Sequence, residues 1–430
     1  MVMEQYHQRR WKSPVLTHAN PVMTESSLIV RFSETTLKGR NRSAFERRMA
    51  ENIAVHLAPH GKFRIVREMA RVTIDRGANG GGDLRLAAAI VKGLPGVANL
   101  SLARAAPSAL DALTEAAMSY LDEMLSRSGL AGDRPVRFRV AASRKNKRYP
   151  LNSMELAAHL GAAALKRHPR LEVNLTQAEL VLRVEIAGGA AWLFEEKTPG
   201  PGGLAVGTGG KAVCLTSGGI DSPLAAYLLM TRGVSVVHLN FHSYPFIGQK
   251  SKEKVHDLVR LLARHQPASR LIVAPFAATQ VAIRDHCPEG MRTILYRRFM
   301  NRVANRVAEN EGAGALITGE SVGQVASQTL QNIRVIEATA ELPVLRPLIG
   351  ISKTEIMERA RRIGTYEISI QPFPDCCTLF QPNRPDTRAK AEAVERAEQR
   401  LPVEELVNQC LDGLEVTDYG PEYFPRSWDA

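Results

Sequence analysis

Cysteine is scarce in this chain, five residues in 430. So few in so long a chain cannot form a disulfide framework, and none stands in the paired C-x-x-C spacing of a zinc site. Also missing is any run of about 18 apolar residues that would cross a bilayer. The basic start (Arg9, Arg10, Lys12) is not followed by the apolar segment of a signal peptide, so the expected location is the cytoplasm. With 44% hydrophobic and 23% charged residues, global disorder, collagen and coiled coil are excluded. There is no excess of acid either: 56 Lys and Arg stand against 44 Asp and Glu, a formal charge of +12. The imbalance is confined to residues 1–190, with 29 basic and 17 acidic residues, whereas 191–430 hold 27 of each. A basic half joined to a neutral one suits a polyanionic partner, nucleic acid first among them, against the plainer reading of a solubilising surface.

At about 100–200 residues per domain the length predicts two or three domains. Residues 1–26 lack periodicity and are read as a flexible leader. Over 27–85 the pattern predicts strands at Ser27–Phe32, Phe63–Arg67 and Arg71–Asp75 around a helix at Asn41–Leu57. Residues 86–196 show helices near Ser108–Ser126 and Ser153–Lys166 and strands at Val136–Val140, Glu179–Ile186 and Ala191–Phe194. These two stretches are expected to be small α+β domains. The breaker-rich stretch 197–211 reads as a linker or flexible approach. It holds no Walker A loop, because Ala205 stands where the first glycine is required and an apolar strand follows. From there to 410, apolar runs at Ala212–Thr216, Val234–Phe241, Leu271–Phe276 and Ala315–Gly319 alternate with helical segments at Pro223–Arg232, Lys252–His265 and Arg292–Glu309. That alternation predicts an α/β domain with a parallel sheet. Residues 411–430 are read as a C-terminal tail.

Ligands of such sheets bind at the carboxyl ends of the strands. At the first of these ends stands Ser217-Gly-Gly-Ile-Asp-Ser222. The two glycines permit a tight turn that aims successive N–H groups at an anion, and the following helix adds its positive end. Ser217 and Ser222 contribute hydroxyls, and Pro223 suits a first helical turn. An ordinary capped βα turn is the plainer alternative; the complete string in this place favours phosphate.

This string resembles the PP-loop of the ATP pyrophosphatases, which cleave ATP between its α and β phosphates and adenylate a carbonyl oxygen. The resemblance implies ATP and Mg2+ as cofactors, a phosphate cradle of Ser217, Gly218, Gly219 and Ser222, and a need for Asp221 in adenylation. Four further motifs, Arg31-Phe-Ser-Glu-Thr-Thr-Leu-Lys-Gly-Arg-Asn-Arg42, Arg148-Tyr-Pro-Leu-Asn-Ser-Met-Glu155, Thr318-Gly-Glu-Ser-Val-Gly-Gln-Val-Ala-Ser-Gln-Thr329 and Leu345-Arg-Pro-Leu348, resemble in order and spacing the tRNA 4-thiouridine synthetases of the ThiI type. The implied architecture is a ferredoxin-like N-terminal domain, a THUMP RNA-binding domain and a PP-loop domain. The family match also implies nucleotide contacts by Leu215, Thr216, Asn240, Phe241, Arg297, Gly319 and Gln328. For these, Leu215 and Phe241 are core candidates too, Gly319 could simply end a strand, and Arg298 rivals Arg297. Candidate RNA contacts are the basic residues Arg31, Lys38, Arg40 and Arg42, and the run Arg144, Lys145, Lys147 and Arg148, which ends at Tyr149, a ring suited to stacking on a base. A solvated charged face is the alternative for either run.

Pro374-Asp-Cys-Cys-Thr378 places vicinal thiols in a polar loop, where a sulfur carrier has to be exposed, while Cys214 sits in an apolar strand and Cys287 and Cys410 lack such context. In the resembling enzymes a cysteine after the Pro-acidic pair carries sulfur as a persulfide. Their order puts it at Cys377, with Cys376 as rival or as the thiol that resolves the spent persulfide. After Cys377 only 53 residues follow (430 minus 377), so the resemblance is to the short form without the rhodanese domain in which the thiamine-pathway role resides. The expected activity is ATP-dependent sulfuration of a tRNA uridine at position eight to 4-thiouridine. The implied partners are tRNA, a cysteine desulfurase as sulfur donor and a second copy in a homodimer, with no membrane. An ATP-dependent amidotransferase or ligase would use the same loop but leave the basic half and Cys377 idle. A non-enzymatic RNA-binding protein would explain the charge but not Asp221.

Overall fold

The computed structural model describes residues 26–34, 39–77, 81–128 and 134–420. The leader up to residue 25, Lys38 and residues 421–430 lie outside the described residues. The first unit runs β1 (Ser27–Phe32), α1 (Arg42–Leu57), β2 (Phe63–Glu68), β3 (Arg71–Arg76), α2 (Leu84–Val91) and β4 (Val97–Ala106). This is the β-α-β-β-α-β order of a ferredoxin-like fold. Strand alternation explains how β1 is buried on both sides. Leu28 and Val30 join Met49, Ile53 and Ile90 in the helix-side core, and Ile29 packs on the other side with Trp192 and Phe194. Asp83 caps α2 by accepting from the Arg85 N–H at 2.8 Å. The helix buries Leu84, Ala87, Ile90 and Val91 in the first core, so the first unit extends past residue 85.

The second unit comprises α3 (Leu110–Arg127), β5 (Val136–Arg144), α4 (Ser153–Arg167), β6 (Leu171–Val173), β7 (Leu180–Ala187) and β8 (Ala190–Phe194). A reciprocal capping box between Asn152 and Glu155 starts α4. The sequence reading has two separate small domains; the structure joins them through β4, a strand that reading omits. One end of β4 pairs with β1 and the other with β8, giving a continuous order β2-β3-β1-β4-β8-β7-β5-β6. Where the units meet, buried Glu185 accepts from Arg31 at 2.7 Å and from fully buried Arg71 at 3.0 Å.

The stretch 197–211 is packed rather than loose. Its β9 (Thr198–Pro199) pairs with β4, Leu204, Ala205 and Val206 are buried, and the Gly207 and Gly209 N–H groups both donate to the Gly233 carbonyl at 2.8 Å. The many glycines serve this close approach: Gly202, Gly203 and Gly207 have φ of 73°, 74° and 90°.

The third unit contains β10 (Lys211–Leu215), α5 (Asp221–Thr231), β11 (Ser235–His242), α6 (Gln249–Leu262), β12 (Ser269–Pro275), α7 (Ala277–His286), α8 (Arg292–Glu311), β13 (Leu316–Ile317), α9 (Leu330–Glu337), β14 (Val344–Leu345), α10 (Lys353–Ile363), α11 (Tyr366–Ser369), α12 (Ala391–Glu398), α13 (Val403–Asp412) and β15 (Glu415–Tyr419). The sheet order is β14-β13-β10-β11-β12-β15. Five strands are parallel, and β15, in the segment read as a tail, closes the edge antiparallel to β12. Helices cover both faces, so β10 divides its side chains between two cores, Val213 on one side and Ala212 and Cys214 on the other. From β10 the chain first adds β11 and β12 on one side and then returns to add β13 on the other. The carboxyl end of β10 is therefore the topological switch point where such sheets form a crevice.

Candidate active site

Ser217–Ile220 leave β10 at that switch point, and α5 begins at Asp221. The turn is held internally: the Ser217 N–H donates to Ser222 Oγ at 2.8 Å and the Gly219 N–H to Ser217 Oγ at 3.2 Å. Two glycines are required by close approach. A Cβ on Gly218 would lie 2.9 Å from Asp375 Oδ1, and one on Gly319, after β13, 2.6 Å from the Ser222 nitrogen. Gly319 thus brings the β13 end against the start of α5, beside the loop.

A cavity of about 190 Å³ opens beside the loop. Of the sequence candidates, Leu215, Thr216, Ser217, Asp221, Ser222, Asn240, Phe241, Arg297, Gly319, Gln328 and Cys376 line it. Gly218 and Gly219 form the adjoining turn. Asn240 fixes the strand ends by donating to the Thr216 carbonyl at 2.9 Å. Phe241 is both wall and core, with its ring edge-on to Phe276 at 5.1 Å. Gln328 is 5% exposed, and its Oε1 has no hydrogen-bond partner among the described residues. A buried amide oxygen left this way is a ready acceptor for a ligand N–H. The neighbouring arginines part company: Arg297 faces the cavity, whereas Arg298 is buried in an ion pair with Glu398 at 2.8 Å.

The motifs converge on groups that the sequence reading did not single out. Asp221 accepts from Lys353 Nζ at 2.6 Å and from Gln324 Nε2 at 2.9 Å. Glu320 accepts from Arg297 at 2.9 Å, from Arg346 at 2.7 Å and from Thr318 Oγ1 at 3.0 Å. Burial alone would raise the Glu320 carboxyl, but the two guanidiniums and the hydroxyl hold it below the usual range. Gln324 and Glu320 lie inside Thr318–Thr329 and Arg346 inside Leu345–Leu348, so the strings contained them. Asp375 appeared only as the acidic landmark before the cysteines; Lys353 and Lys254 carried no signal. Lys254 is 4% exposed and donates to the Phe373 carbonyl at 2.8 Å, and burial lowers its ammonium.

The cysteine segment reaches the same cavity. Asp375 and Cys376 line it, residues 376–378 form one 3-10 turn, and the Gln280 side chain holds the Cys376 carbonyl at 2.8 Å. The side chain of Cys377 lies outside what is described. Cys214 is fully buried, and burial pushes its thiol up to about 12; Cys287 and Cys410 are buried and raised likewise.

The basic candidates differ in how far their charge is engaged, and one from each run, Arg31 and Lys145, shares Glu185 at 2.7 and 3.9 Å. Arg40, Lys145, Lys147 and Arg148 are exposed. Arg31 is consumed by Glu185, Asn99 and Ser101, Arg42 pairs with Glu46 at 2.7 Å, and Arg144 donates to the Lys147 carbonyl at 2.6 Å. Tyr149 is a correction: its hydroxyl donates to the Ser108 carbonyl at 2.8 Å and its ring packs on the second core, so it is a structural tie rather than a stacking platform.

A doubly wound sheet with this loop at its switch point defines a PP-loop nucleotide domain, here carried behind a ferredoxin-like unit and a second α+β unit. Family profiles agree with that class. The ThiI ferredoxin-like domain matches residues 27–101, the THUMP domain 107–195, and the profile described as Thiamine biosynthesis protein (ThiI) 207–403. A probable tRNA sulfurtransferase of Moorella thermoacetica is 43% identical over 92% of this chain and 98% of its own, and that of Alkaliphilus metalliredigens 40% over 91% and 98%. A crystal structure described as a 4-thiouridine synthetase–RNA complex with bound ATP superposes with a TM-score of 0.80 at 36% identity, covering 91% of this chain and 99% of that one. The chain belongs to the tRNA sulfurtransferase (ThiI) family.

Proposed function

We propose that the chain is an ATP-dependent tRNA sulfurtransferase that converts a uridine near the 5′ end of tRNA, position eight, into 4-thiouridine. One observation carries this reading beyond nucleotide binding: the PP-loop and Cys376 line a single cavity. A ligase acting on a small molecule has no use for that juxtaposition, and an RNA-binding protein has no use for either.

In this reading the adenosine lies against Leu215, Thr216, Asn240, Phe241, Gly319 and Gln328, with the Gln328 oxygen accepting from an N–H of the base. Arg297 is held in place by Glu320, and the triphosphate lies on the Ser217–Ser222 turn. Asp221 fixes Lys353 at the mouth of the turn, where its ammonium faces the charge that develops as pyrophosphate leaves. Among the described residues no cluster of three His, Cys, Asp or Glu forms a metal cage. A Mg2+ accompanying ATP would be held by the phosphates with Asp221 as protein carboxylate, and would supply charge neutralisation. The uridine O4 attacks the α-phosphorus. The outer sulfur of a Cys377 persulfide, loaded by a cysteine desulfurase, then attacks C4 and AMP departs. A Cys376 thiolate attacking the Cys377 sulfur would release the 4-thiouridine and leave a disulfide for an external thiol to reduce. The continuous two-unit sheet with exposed Arg40, Lys147 and Arg148 is the proposed tRNA platform. A homodimer and a cytoplasmic location belong to the same reading.

The test combines purified protein, unmodified tRNA, Mg-ATP, cysteine and a cysteine desulfurase, followed by digestion and mass spectrometry. Wild type should yield 4-thiouridine. Cys377→Ser should yield none while still releasing pyrophosphate when tRNA is added, and Asp221→Asn should slow that release by about a hundredfold. Full thiolation by Cys377→Ser would remove the assigned sulfur carrier.

A further inference from the structure

The anion cradle of the PP-loop is already occupied by a carboxylate of the chain itself. The Gly218 N–H, the amide that the glycine pair exposes, donates to Asp375 Oδ1 at 2.8 Å, and the Ser217 hydroxyl and the Lys254 ammonium also act on the Asp375 carboxylate. Burial raises its carboxyl despite these partners, as expected for an anion taken out of water to fill a site. Asp375 is bonded directly to Cys376. Its carbonyl accepts from the Thr378 N–H at 3.0 Å and from Thr378 Oγ1 at 2.7 Å, so it also starts the turn that carries both cysteines. The place of this carboxylate thus fixes the place of the turn.

A phosphate on the Gly218 amide and the Asp375 carboxylate cannot coexist there, because both need the same donor and both are negative. We propose that Asp375 is a positioning residue that alternates with pyrophosphate on the Gly218 amide. When nucleotide occupies the cradle, the carboxylate is expelled and the cysteine turn is lifted with it. When pyrophosphate has left, the carboxylate returns and sets the turn over the adenylated base. The order of steps follows from exclusion alone: sulfur is delivered only after pyrophosphate has gone, which keeps a persulfide away from the site while ATP is intact. This inference rests on the reading of the loop as the site of pyrophosphate and of the 376–378 turn as the sulfur carrier.

The experiment uses the full chain and Mg-pyrophosphate alone as probe. Its affinity is measured by calorimetry for wild type, Asp375→Asn and Asp375→Ala, and the alkylation rate of the Cys376–Cys377 pair is followed by mass spectrometry with and without the probe. Removing the competing charge should tighten Mg-pyrophosphate in both variants, roughly tenfold in Asp375→Ala. In wild type the probe should speed alkylation of the pair; in Asp375→Ala alkylation should be fast already and indifferent to it. A fold defect alone would weaken binding, so tightening is a readout a merely structural role would not give. Weaker binding in the well-folded asparagine variant would make Asp375 a partner of the phosphates, and wild-type alkylation unchanged by the probe would remove the coupling. Either result overturns the proposal. Neither measurement requires thiolation, so a wild-type protein that makes no 4-thiouridine would overturn the functional reading separately.

Discussion

The two halves of the molecule bury charge for different ends. In the nine-stranded platform, Glu185 lies between Arg31 and Arg71 at the seam of two units, and Arg104 is tied to Glu123 at 2.6 Å. The first two connect strands, the third ties β4 to α3, and none of these residues lines the cavity beside the loop. In the nucleotide unit, Glu320 takes two arginines in the same way, but one of them, Arg297, and Glu320 itself line the cavity beside an unpartnered amide oxygen. Basic composition therefore overstates the binding surface of the first half, because part of its excess is spent inside. What distinguishes a site from a brace is the open space next to the charge.

Glu185→Gln should break the platform and give the largest of the expected effects on stability. It removes the carboxylate shared by Arg31 and fully buried Arg71, leaving Arg71 with Glu68 alone, at a cost of about 3 kcal/mol. Thermal unfolding followed by circular dichroism should show a clearly lower midpoint. Binding of Mg-pyrophosphate, measured at a temperature where the variant is still folded, should be unchanged, since no residue of the seam lines the cavity. An unchanged midpoint would mean that the seam is no brace.

Between the halves lies a joint sensitive to acid. His265 Nδ1 donates to the Gly93 carbonyl of the platform at 2.8 Å, and its Nε2 accepts from Arg264 Nε at 3.0 Å. Since a carbonyl can only accept, the ring nitrogen facing Gly93 carries the proton. Burial first, and Arg264 second, push its pKa down to about 3; burial lowers buried His56 as well. The folded state therefore binds fewer protons than the unfolded chain between about pH 6.5 and 3, and stability falls as pH drops through that window. At pH 5.5 the loss from His265 alone should be about 1.4 kcal/mol. Urea unfolding at pH 7.5 and 5.5 should show it, with a smaller difference in His265→Gln; equal pH sensitivity in the two proteins would place the effect elsewhere.

The sequence made the nucleotide unit more legible than the platform, for physical reasons. A parallel strand buried on both faces is a nearly continuous apolar run, and Val234–Phe241 is visible as one. The loop after β10 is visible because anion binding restricts which residues can stand there. By contrast β4, Val97-Ala-Asn-Leu-Ser-Leu-Ala-Arg-Ala-Ala106, is broken by small and polar residues because different partners cover its two ends, so neither the strand nor the join it makes stands out in the sequence. Glycine-rich 197–211 looked loose because the same residues serve flexibility and close backbone contact. Asp375 and Lys353 come to the loop from far along the chain, and nothing local marks a side chain whose partner lies more than a hundred residues away.

The smallest effect tests whether exposed charge in the platform acts where buried charge does not. Lys147 and Arg148 stand in solvent next to Arg144, whose guanidinium is turned back onto the Lys147 carbonyl. If they meet tRNA phosphates, each alanine substitution should weaken tRNA binding a few-fold at moderate salt and reduce the slope of log K against log salt by about one. Folding stability should stay within about 0.5 kcal/mol, as for surface substitutions elsewhere. Arg42→Ala serves as the contrast, because its charge is already engaged by Glu46: it should change the salt slope less than Lys147→Ala does. Equal slopes for all three variants would show that pairing inside the protein does not withhold a charge from RNA, and the division drawn between braces and binding surface would fail at that point.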